Sequence, residues 1–501
     1  MQGFSNDLYL QAQTAAIRKR VEGGAGRLYI EFGGKLLGDF HAARVLPGFD
    51  PNVKLRLLQN LATDADLIIC IHADDIEHKR IRADFGITYD NAALKLIDDL
   101  RARGIEVTAV VITRYSGQPA AAEFKERLER HGMSVYLHRS IDGYPREADK
   151  IATEEGFGAN PYIQVTRPLV VVTAPGPNSG KLATCLNQMY HEHRRGNAAR
   201  YAKFETFPVW NLPLEHPVNL AYESATADLK DNNALDNFHF AAYGIPAVNY
   251  NRDLQAFPLL RTLLNLITGS TAGYQSPTDM GVNCIASGIV DDAVVRAAAE
   301  GEIIRRYFQY DAEFHLGRCS EETVRRALEV VQKAGLNTMD RKVVSAAREA
   351  ARVCEAQQRG DGGIYCGAAI QLEDGTIVTG KNSSLMHSAA AMILNAAKHL
   401  AKIPDGQHLL LPDIMESVST FKHGLGTSER VSLNLSETLI MLVVSAARDI
   451  YAKRALDVLP LLNHCDVHLS HLPGHGDEVG LRHLGCSYTY DTLAPTKKLF
   501  P

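Results

Sequence analysis

The sequence has 501 residues, of which 46% are hydrophobic and 22% are charged, a composition typical of globular proteins of about three domains. The formal net charge of −5 and the scattered basic residues argue against nucleic acid as a partner. Eight cysteines without a Cys-x-x-Cys pair argue against a zinc ribbon or a disulfide framework and favour a reducing cytoplasm.

No segment predicts export or membrane insertion. The first twenty residues contain no long apolar region of the kind found in signal peptides. No window approaches the roughly 18 consecutive apolar residues that predict a membrane-spanning helix. We therefore expect a cytoplasmic protein that has neither a membrane nor a nucleic acid as its partner.

Strand and helix patterns alternate over the first 210 residues. Amphipathic helical patterns separate apolar runs that predict strands, which lie at 28–34, 66–75, 106–115, 133–140, 168–175 and 199–207. This alternation predicts an α/β fold with a doubly wound, mostly parallel sheet in a domain at 1–215. In such sheets ligands bind at the carboxyl ends of the strands, where the strand order switches direction.

Charged residues and glycines follow these predicted strands directly. They are Gly33, Gly34 and Lys35 after the first strand, Asp74 and Asp75 after the second, Arg114 after the third, Arg139 after the fourth and the loop 175–181 after the fifth. Cations and glycines at strand ends predict a site for a phosphorylated anion, with Asp74 or Asp75 as acid–base group or metal ligand. The alternative is that strand ends are polar because they are exposed.

The segment 170–185, VVVTAPGPNSGKLATC, has most features of a phosphate-binding loop. A predicted strand precedes it, a predicted helix follows, and Gly180 and Lys181 match the signature G-x-x-x-x-G-K-[S/T]. Pro175 replaces the first glycine, and Leu182 replaces the hydroxyl residue that normally binds Mg²⁺, so the use of Mg²⁺ stays open. The alternative is a tight turn with an exposed lysine. The candidate binding residues are Gly176, Asn178, Ser179, Gly180, Lys181 and Leu182, with Gly33, Gly34, Lys35 and Arg114.

The helix after this loop leads into the segment ARYAKFETF at 199–207. This succession resembles the dethiobiotin-synthetase-like branch of P-loop proteins, in which the next strand carries an active-site lysine. The resemblance implies that Lys181 binds phosphate and that Lys203 adds positive charge. The catalytic candidates are therefore Lys181, Lys203, Asp74 and Asp75.

Two further groups of polar residues carry weaker signals. Asp228 and Asp231 could bind a metal ion, although acidic residues in loops are usually solvated. His191, Glu192 and His193 lack the spacing that places two histidines on one face of a helix, so we expect this group at the surface.

The pattern changes twice along the rest of the chain. Helical patterns dominate from 216 to 360 and predict a mainly helical middle domain, in which the segment 274–283 is an ordered loop. A hairpin at 365–382, a small-residue helix, a buried helix at 436–457 and a strand at 466–472 then predict an α/β subdomain at 361–501.

The hairpin and the small-residue helix resemble the cytidine-deaminase core, where His/Cys-x-Glu begins one helix and Pro-Cys-x-x-Cys begins the next. At the matching positions, Ala389 stands for the catalytic Glu, and Asp413 and Glu416 stand for the zinc cysteines. The resemblance implies a deaminase-like scaffold without deaminase chemistry, so no zinc is expected. A metal site formed by His387, Asp413 and Glu416 is the alternative. We expect this subdomain to serve in protein interaction, for example in oligomerisation.

Taken whole, the chain resembles a bacterial protein family of about this length that is classed as a domain of unknown function. Long segments carry the resemblance, among them EFGGKLLGDFHAARVLPGFDPN, GITYD, RPLVVVTAPGPNSGKLATCLNQMYHEHRRG, SPTDMGVN and DVHLSHLPGHGDEVGLRHLG. Some members are described as ATP-dependent peptidases, yet no peptidase motif such as G-x-S-x-G is present. The resemblance implies separate middle and C-terminal subdomains.

These patterns support two main classes of function. The leading hypothesis is an enzyme that binds ATP, another nucleotide or a phosphorylated metabolite and catalyses phosphoryl transfer or hydrolysis. The rival is a non-catalytic assembly or regulatory protein, which the missing Mg²⁺ hydroxyl and the missing deaminase Glu favour. An ATP-dependent peptidase is a third, disfavoured hypothesis. We also expect a homo-oligomer.

Overall fold

The computed structural model describes residues 2–82, 87–270, 273–424 and 432–493. Gly86 of the segment GITYD and residues 494–501 of the predicted third domain lie outside these ranges. The chain forms two compact units, Met1–Glu302 and Ile303–Pro501. Of the predicted middle domain, residues 216–302 therefore belong to the first unit and residues 303–360 to the second.

The first unit consists of strands connected by helices and loops. Its strands are β1 (Arg27–Phe32), β2 (Ala65–His72), β3 (Ile81–Arg82), β4 (Ile87–Thr88), β5 (Ala109–Thr113), β6 (Val135–Leu137), β7 (Leu169–Thr173), β8 (Ala199–Phe204), β9 (Asn233–Leu235), β10 (Val248–Tyr250) and β11 (Gly281–Val282). Its helices are α1 (Asn6–Glu22), α2 (Phe40–Val45), α3 (Val53–Leu61), α4 (Ala73–Glu77), α5 (Tyr89–Arg101), α6 (Pro119–Arg130), α7 (Ala148–Ile151), α8 (Lys181–Arg194), α9 (Pro217–Ala225), α10 (Asn237–Tyr243), α11 (Asn251–Thr268), α12 (Pro277–Met280) and α13 (Asp292–His315), which extends past residue 302.

The central sheet has seven strands in the order β11-β8-β1-β7-β2-β5-β6, and all neighbours are parallel. This confirms the predicted α/β fold with a parallel sheet. All five residues of β5 and of β7 are buried, because helices cover both faces of a parallel sheet. The seventh strand, β11, was predicted as part of a loop. With two residues at the sheet edge, it is too short for a periodic signal.

The strand order switches direction between β1 and β7. The connection from β1 passes over β7 to reach β2, and the connection from β7 passes over β1 to reach β8. Because such crossovers are right-handed, α3 and α8 cover opposite faces of the sheet. In sheets of this topology, ligands bind in a crevice at the carboxyl ends of the two strands whose connections leave in opposite directions, here β1 and β7.

The face beneath α8 and α11 has a continuous apolar core. Tyr29 of β1 and Val170 of β7 pack there with Cys185 of α8 and Phe257 of α11. Alternate residues of the strands face this core, so Glu31, two residues after Tyr29, lies on the same face near the carboxyl edge. The local sequence thus places a carboxylate near the carboxyl end of β1.

The second unit has a smaller sheet. Its strands are β12 (Gly367–Gln371), β13 (Ile377–Lys381), β14 (Asp466–Leu469) and β15 (Ser487–Tyr490) in the order β13-β12-β14-β15. Its helices after α13 are α14 (Glu321–Lys333), α15 (Lys342–Ala356), α16 (Ser388–Ala401), α17 (Pro412–Gly424), α18 (Leu435–Ala446), α19 (Ile450–Asp457) and α20 (His475–His483). Strand β12 is antiparallel to both neighbours, whereas β14 and β15 are parallel.

The segment 436–457, predicted as one buried helix, is two helices in the structure. Asp449 accepts a hydrogen bond from the Ala452 N–H and so begins α19 as a new helix. Ile440 and Val443 of α18 are 66% and 54% exposed, so the helix is not buried all round. Among the described residues, no helix has the length and apolar character needed to span a bilayer.

Candidate functional site

The loop between β7 and α8 contains several backbone N–H groups without a hydrogen-bond partner in the described part of the chain. Asn178 and Gly180 take the left-handed conformation, with φ of 54° and 83°, and Gly180 is the N-cap of α8 without a side-chain cap. None of the described residues accepts a hydrogen bond from the N–H groups of Gly176, Asn178, Ser179, Gly180, Lys181 and Leu182. Unpaired N–H groups at the start of a helix favour an anion.

Packing alone also requires the two glycines of this loop. A Cβ at Gly180 would lie 2.9 Å from Cγ2 of Thr113, and a Cβ at Gly176 would overlap the ring of Tyr89. Thr113 in turn donates to the Ser179 carbonyl at 2.9 Å. The glycines therefore have a structural reason that does not depend on a ligand.

Lys181 is the first residue of α8 and is half-buried. Its Nζ lies 3.5 Å from Oγ of Ser179, and no carboxylate in the described part of the chain pairs with it. Its charge lowers the pKa of Cys70 in β2 and of Cys185 in α8, against the larger effect of burial. Lys181 is thus a cation beside these N–H groups, and none of the described residues is its counter-ion.

Lys203 has a different environment, because two carboxylates pair with it. Its Nζ lies 2.6 Å from Oε1 of Glu205 and contacts Asp253, which lies in the first turn of α11. Glu31 of β1 is opposite Lys203 in the strand register and accepts a hydrogen bond from the Tyr201 hydroxyl at 2.9 Å. The sheet edge thus brings three carboxylates and Lys203 together.

Burial sets the protonation of this pair. Burial raises the pKa of Glu205 to about 7, although the Lys203 ammonium favours the carboxylate. Burial would lower the pKa of Lys203, but Asp253, Glu205 and Glu31 hold it above its ordinary value. Lys203 is therefore charged at neutral pH, and Glu205 changes its protonation state closer to neutral pH than an exposed glutamate does, which suits a general acid or base.

The two loop aspartates that were weaker metal candidates lie beside this cluster. Asp231 is buried and pairs with Arg252 at 3.1 Å, and burial raises its pKa. Asp228 is exposed. Within the ranges that the structure describes, no three His, Cys, Asp or Glu side chains have an arrangement that could hold a metal ion.

Asp74 and Asp75 lie after β2 as predicted, in the short helix α4. Asp74 is exposed and accepts from Nε2 of Gln118 at 2.7 Å, and Asp75 pairs with Arg80 at 3.2 Å. Arg114, with φ of 53°, lies 3.3 Å from the His72 ring. These residues share the carboxyl edge with Lys181 but have their own partners.

The Gly33–Lys35 loop after β1 covers a buried ion pair. Nζ of Lys54 lies 2.8 Å from Asp39, and only 1% of Lys54 is exposed. A Cβ at Gly34, which has φ of 71°, would lie 2.9 Å from Nζ of Lys54. Lys35 is half-buried and lines a small cavity of about 40 Å³ with Pro175. Gly34 therefore serves packing over Lys54.

Glu192 is buried, although the sequence pattern predicted that it lies at the surface. Its side chain is fully buried and accepts hydrogen bonds from four donors, namely Arg27 NH1 at 2.6 Å, Tyr29 OH at 2.9 Å, Tyr162 OH at 2.8 Å and Asn197 Nδ2 at 2.9 Å. Helical spacing indicated that the neighbouring histidines diverge, but it could not show that donors from β1 converge on Glu192. His193 is exposed as expected.

In the second unit, the structure does not join the three residues of the alternative metal site. Nδ1 of His387 lies 2.7 Å from Asp477, whereas Asp413 pairs with Arg448 at 3.1 Å on the surface. Ala389 is buried in the first turn of α16. Asp477 was missed because it lies 90 positions from His387 in the chain.

Sequence reasoning also missed Glu31, Glu205 and Asp253 in the first unit. The alternation of Lys203 and Glu205 along one strand was a usable signal, because residues two apart share a face. Asp253 lies 50 positions after Lys203 and has no local signal.

Comparison with known proteins gives matches over nearly the whole chain. The family model "Domain of unknown function DUF1846, N-terminal" matches residues 2–335, and its C-terminal counterpart matches residues 339–500. A "UPF0371 protein" of Clostridium botulinum (strain Alaska E43 / Type E3) is 50% identical over 499 residues, 99% of each chain. A "UPF0371 protein" of Clostridium tetani (strain Massachusetts / E88) is 49% identical over the same length, again 99% of each chain.

Proposed function

The chain belongs to the DUF1846 family, and we propose that it is an enzyme that binds ATP, another nucleotide or a phosphorylated metabolite at the crevice between β1 and β7. The observation that supports this most is the set of unpaired N–H groups at 176–182 beside Lys181, which has no carboxylate partner in the described chain. Backbone donors and an uncompensated cation are the groups that bind phosphate.

The residues around Lys203 supply the chemistry in this proposal. Glu205, with its pKa near neutrality, takes the proton from an attacking hydroxyl or water. The oxygen then forms a bond to phosphorus while the bond from phosphorus to the leaving oxygen breaks. Lys203 positions Glu205 through the 2.6 Å ion pair, and the loop and Lys181 stabilise the charge on the phosphoryl oxygens.

Calorimetric titration of the full-length protein with ATP, GTP and inorganic phosphate tests the proposal. We expect at least one of them to bind, and Lys181→Ala to weaken binding about 10- to 100-fold, since a hydrogen bond to a charged group contributes roughly 1.5–3 kcal/mol. Lys125→Ala, on the exposed side of α6, is the matched control. Titrations with and without Mg²⁺ decide whether the metal takes part. No binding, or equal binding by Lys181→Ala, would overturn the proposal.

The second candidate is a non-catalytic assembly or regulatory protein. The packing of Gly180 on Thr113 and of Gly176 on Tyr89 favours it, because the loop would keep its shape without a ligand. This candidate predicts a stable homo-oligomer, measured by light scattering, that binds no phosphate compound. Casein turnover with and without ATP tests the disfavoured peptidase.

A further inference from the structure

A second group of polar residues lies at one edge of the smaller sheet. Strands β13, β14 and β15 run in one direction, because β12 is antiparallel to both β13 and β14 and β14 is parallel to β15. His387 follows β13, His471 and Asp477 follow β14, and Asp491 follows β15. All four therefore lie at the carboxyl edge, where ligands bind in sheets of this kind.

His387 and Asp477 form a fixed pair at this edge. Nδ1 of His387 donates to Oδ2 of Asp477 at 2.7 Å, and the N–H of Leu435 donates to Oδ1 at 2.8 Å. The Asp477 side chain is 1% exposed, whereas that of His387 is 39% exposed. Asp477 is thus held from two sides, and it orients the imidazole so that Nε2 is the nitrogen left for a ligand.

The charges around His387 come from three helices. Burial would lower its pKa, but the hydrogen bond and charge of Asp477 from α20 raise it above its ordinary value, with help from Glu437 of α18. Lys422 of α17 opposes this rise, and it pairs with Glu437 at 3.0 Å. His387 is therefore protonated over a wider pH range than an ordinary imidazole.

The first turn of α16 begins next to His387 and is buried without a cap. His387 is its N-cap but makes no side-chain cap hydrogen bond. The N–H groups of Ser388, Ala389 and Ala390 have no acceptor among the described residues, although all three residues are at most 1% exposed. The hydroxyl of Ser388 is also buried, and no described residue forms a hydrogen bond with it. Buried donors of this kind are rare unless a ligand or water pairs with them.

His471 adds a second unpaired group. It is 9% exposed, and its Nδ1 is buried without a hydrogen-bond partner in the described chain. Burial lowers its pKa to about 4, and the charges of Asp477, His387 and Asp491 act on it. His471 is thus a neutral imidazole close to the His387–Asp477 pair.

We propose that this edge is a second ligand site, independent of the phosphate site of the first unit. The first turn of α16 binds an oxyanion of a small molecule, a carboxylate or a phosphate, through the N–H groups of 388–390 and the Ser388 hydroxyl. Nε2 of His387 takes a proton from an O–H group of the same molecule and returns it, and no other bond changes. His471 donates or accepts one hydrogen bond as a neutral group.

Histidine NMR of the full-length protein, labelled with ¹³C-histidine, tests this site. The His387 signal is assigned by its loss in His387→Gln, and inorganic phosphate and acetate are titrated separately. We expect the His387 and His471 signals to shift and saturate with one of the two anions, which identifies the group. We also expect the bound anion to raise the pKa of His387. The signal of His131, exposed at the C-cap of α6, serves as the internal control and should not move.

Two variants separate binding from proton transfer. Asp477→Asn should lower the pKa of His387, because it removes the adjacent charge. His387→Gln should leave a saturable shift at His471, because the donors of α16 remain. The proposal is overturned if the His387 and His471 signals of the wild-type protein shift with neither anion, or shift only together with the His131 signal. This outcome is read from the wild-type protein and does not depend on the folding of a variant.

Discussion

Nζ of Lys203 lies 2.6 Å from Oε1 of Glu205 at the carboxyl edge of the central sheet. Burial nevertheless raises the pKa of Glu205 to about 7, because the desolvation of the carboxylate outweighs its attraction to Lys203. The same ammonium also contacts Asp253. One cation shared between two carboxylates leaves Glu205 able to change its protonation state near neutral pH.

This relationship predicts how stability depends on pH. Between the ordinary pKa of a glutamate, about 4.3, and the folded value near 7, the folded protein binds more protons at Glu205 than the unfolded chain does. The free energy of unfolding therefore falls as pH rises through this range, by an amount on the order of a few kcal/mol. Glu205→Gln should lack this fall, as measured by urea unfolding at a series of pH values.

Glu126→Gln, on the exposed face of α6, is the control for this measurement and should keep the pH profile of the wild type. A Glu205→Gln protein whose unfolding free energy falls with pH as steeply as that of the wild type would contradict the raised pKa.

The buried pair of Lys54 and Asp39 predicts a large loss of stability in Lys54→Met. Burial favours the protonated carboxyl of Asp39, but Lys54 holds its pKa below the ordinary value. Without Lys54 the buried carboxylate has no counter-ion, and breaking such a pair costs about 3–5 kcal/mol. The loss should be largest above about pH 4 and should shrink in acid. Urea unfolding measures it.

Two further variants test this explanation of the stability loss in Lys54→Met. Adding Asp39→Asn to the same protein should restore part of the stability, because it removes the uncompensated charge. Lys125→Met, at the partly exposed pair with Glu129, should change the unfolding free energy by less than about 1 kcal/mol. Equal losses in the two lysine variants would be inconsistent with a buried pair.

Gly180→Ala and Gly196→Ala separate packing from backbone strain. Both glycines have positive φ, 83° and 77°, so each alanine carries a strain of roughly 1–2 kcal/mol. Only at Gly180 would the new methyl group meet a neighbour, the side chain of Thr113 at 2.9 Å. We expect Gly180→Ala to lose a further 1–3 kcal/mol or so in thermal unfolding. Equal effects would show that Thr113 moves away freely.

Glu192→Gln should destabilise the first unit. The carboxylate accepts from Arg27, Tyr29, Tyr162 and Asn197, and these hydrogen bonds hold its pKa below the ordinary value although burial alone would raise it. In Gln, an NH₂ group replaces one of the carboxylate oxygens. This group cannot accept the hydrogen bonds of the four surrounding donors, and we expect a cost of about 2–4 kcal/mol. The wild-type advantage should disappear as pH falls through the folded pKa, since protonated Glu192 also donates.

Glu129→Gln, on α6 beside Lys125, provides the surface comparison for Glu192→Gln. Chemical unfolding at neutral pH should separate the two variants clearly. A Glu192→Gln protein as stable as Glu129→Gln would mean that water rather than the four donors satisfies the carboxylate.

Much of the fold could be predicted from local pattern, whereas the site could be predicted only in part. The loop at 176–181 was visible because a strand, a glycine and a lysine follow one another in the chain. The position of Glu205 beside Lys203 could have been predicted, because the two residues share a strand face. The positions of Asp253 and Asp477 could not have been predicted, because no regular spacing in the sequence relates them to Lys203 or His387.

The sequence by itself determined the parallel sheet, because strands buried on both faces must be continuous apolar runs, as in the wholly buried β5 and β7. It also indicated the loop at 176–181, where a strand, a glycine and a lysine follow one another. Only the tertiary structure decided how each charge is paired. Lys203 meets a carboxylate 50 positions away and His387 meets one 90 positions away. Packing of distant segments sets such contacts, and these contacts decide which charged side chains are paired with an opposite charge.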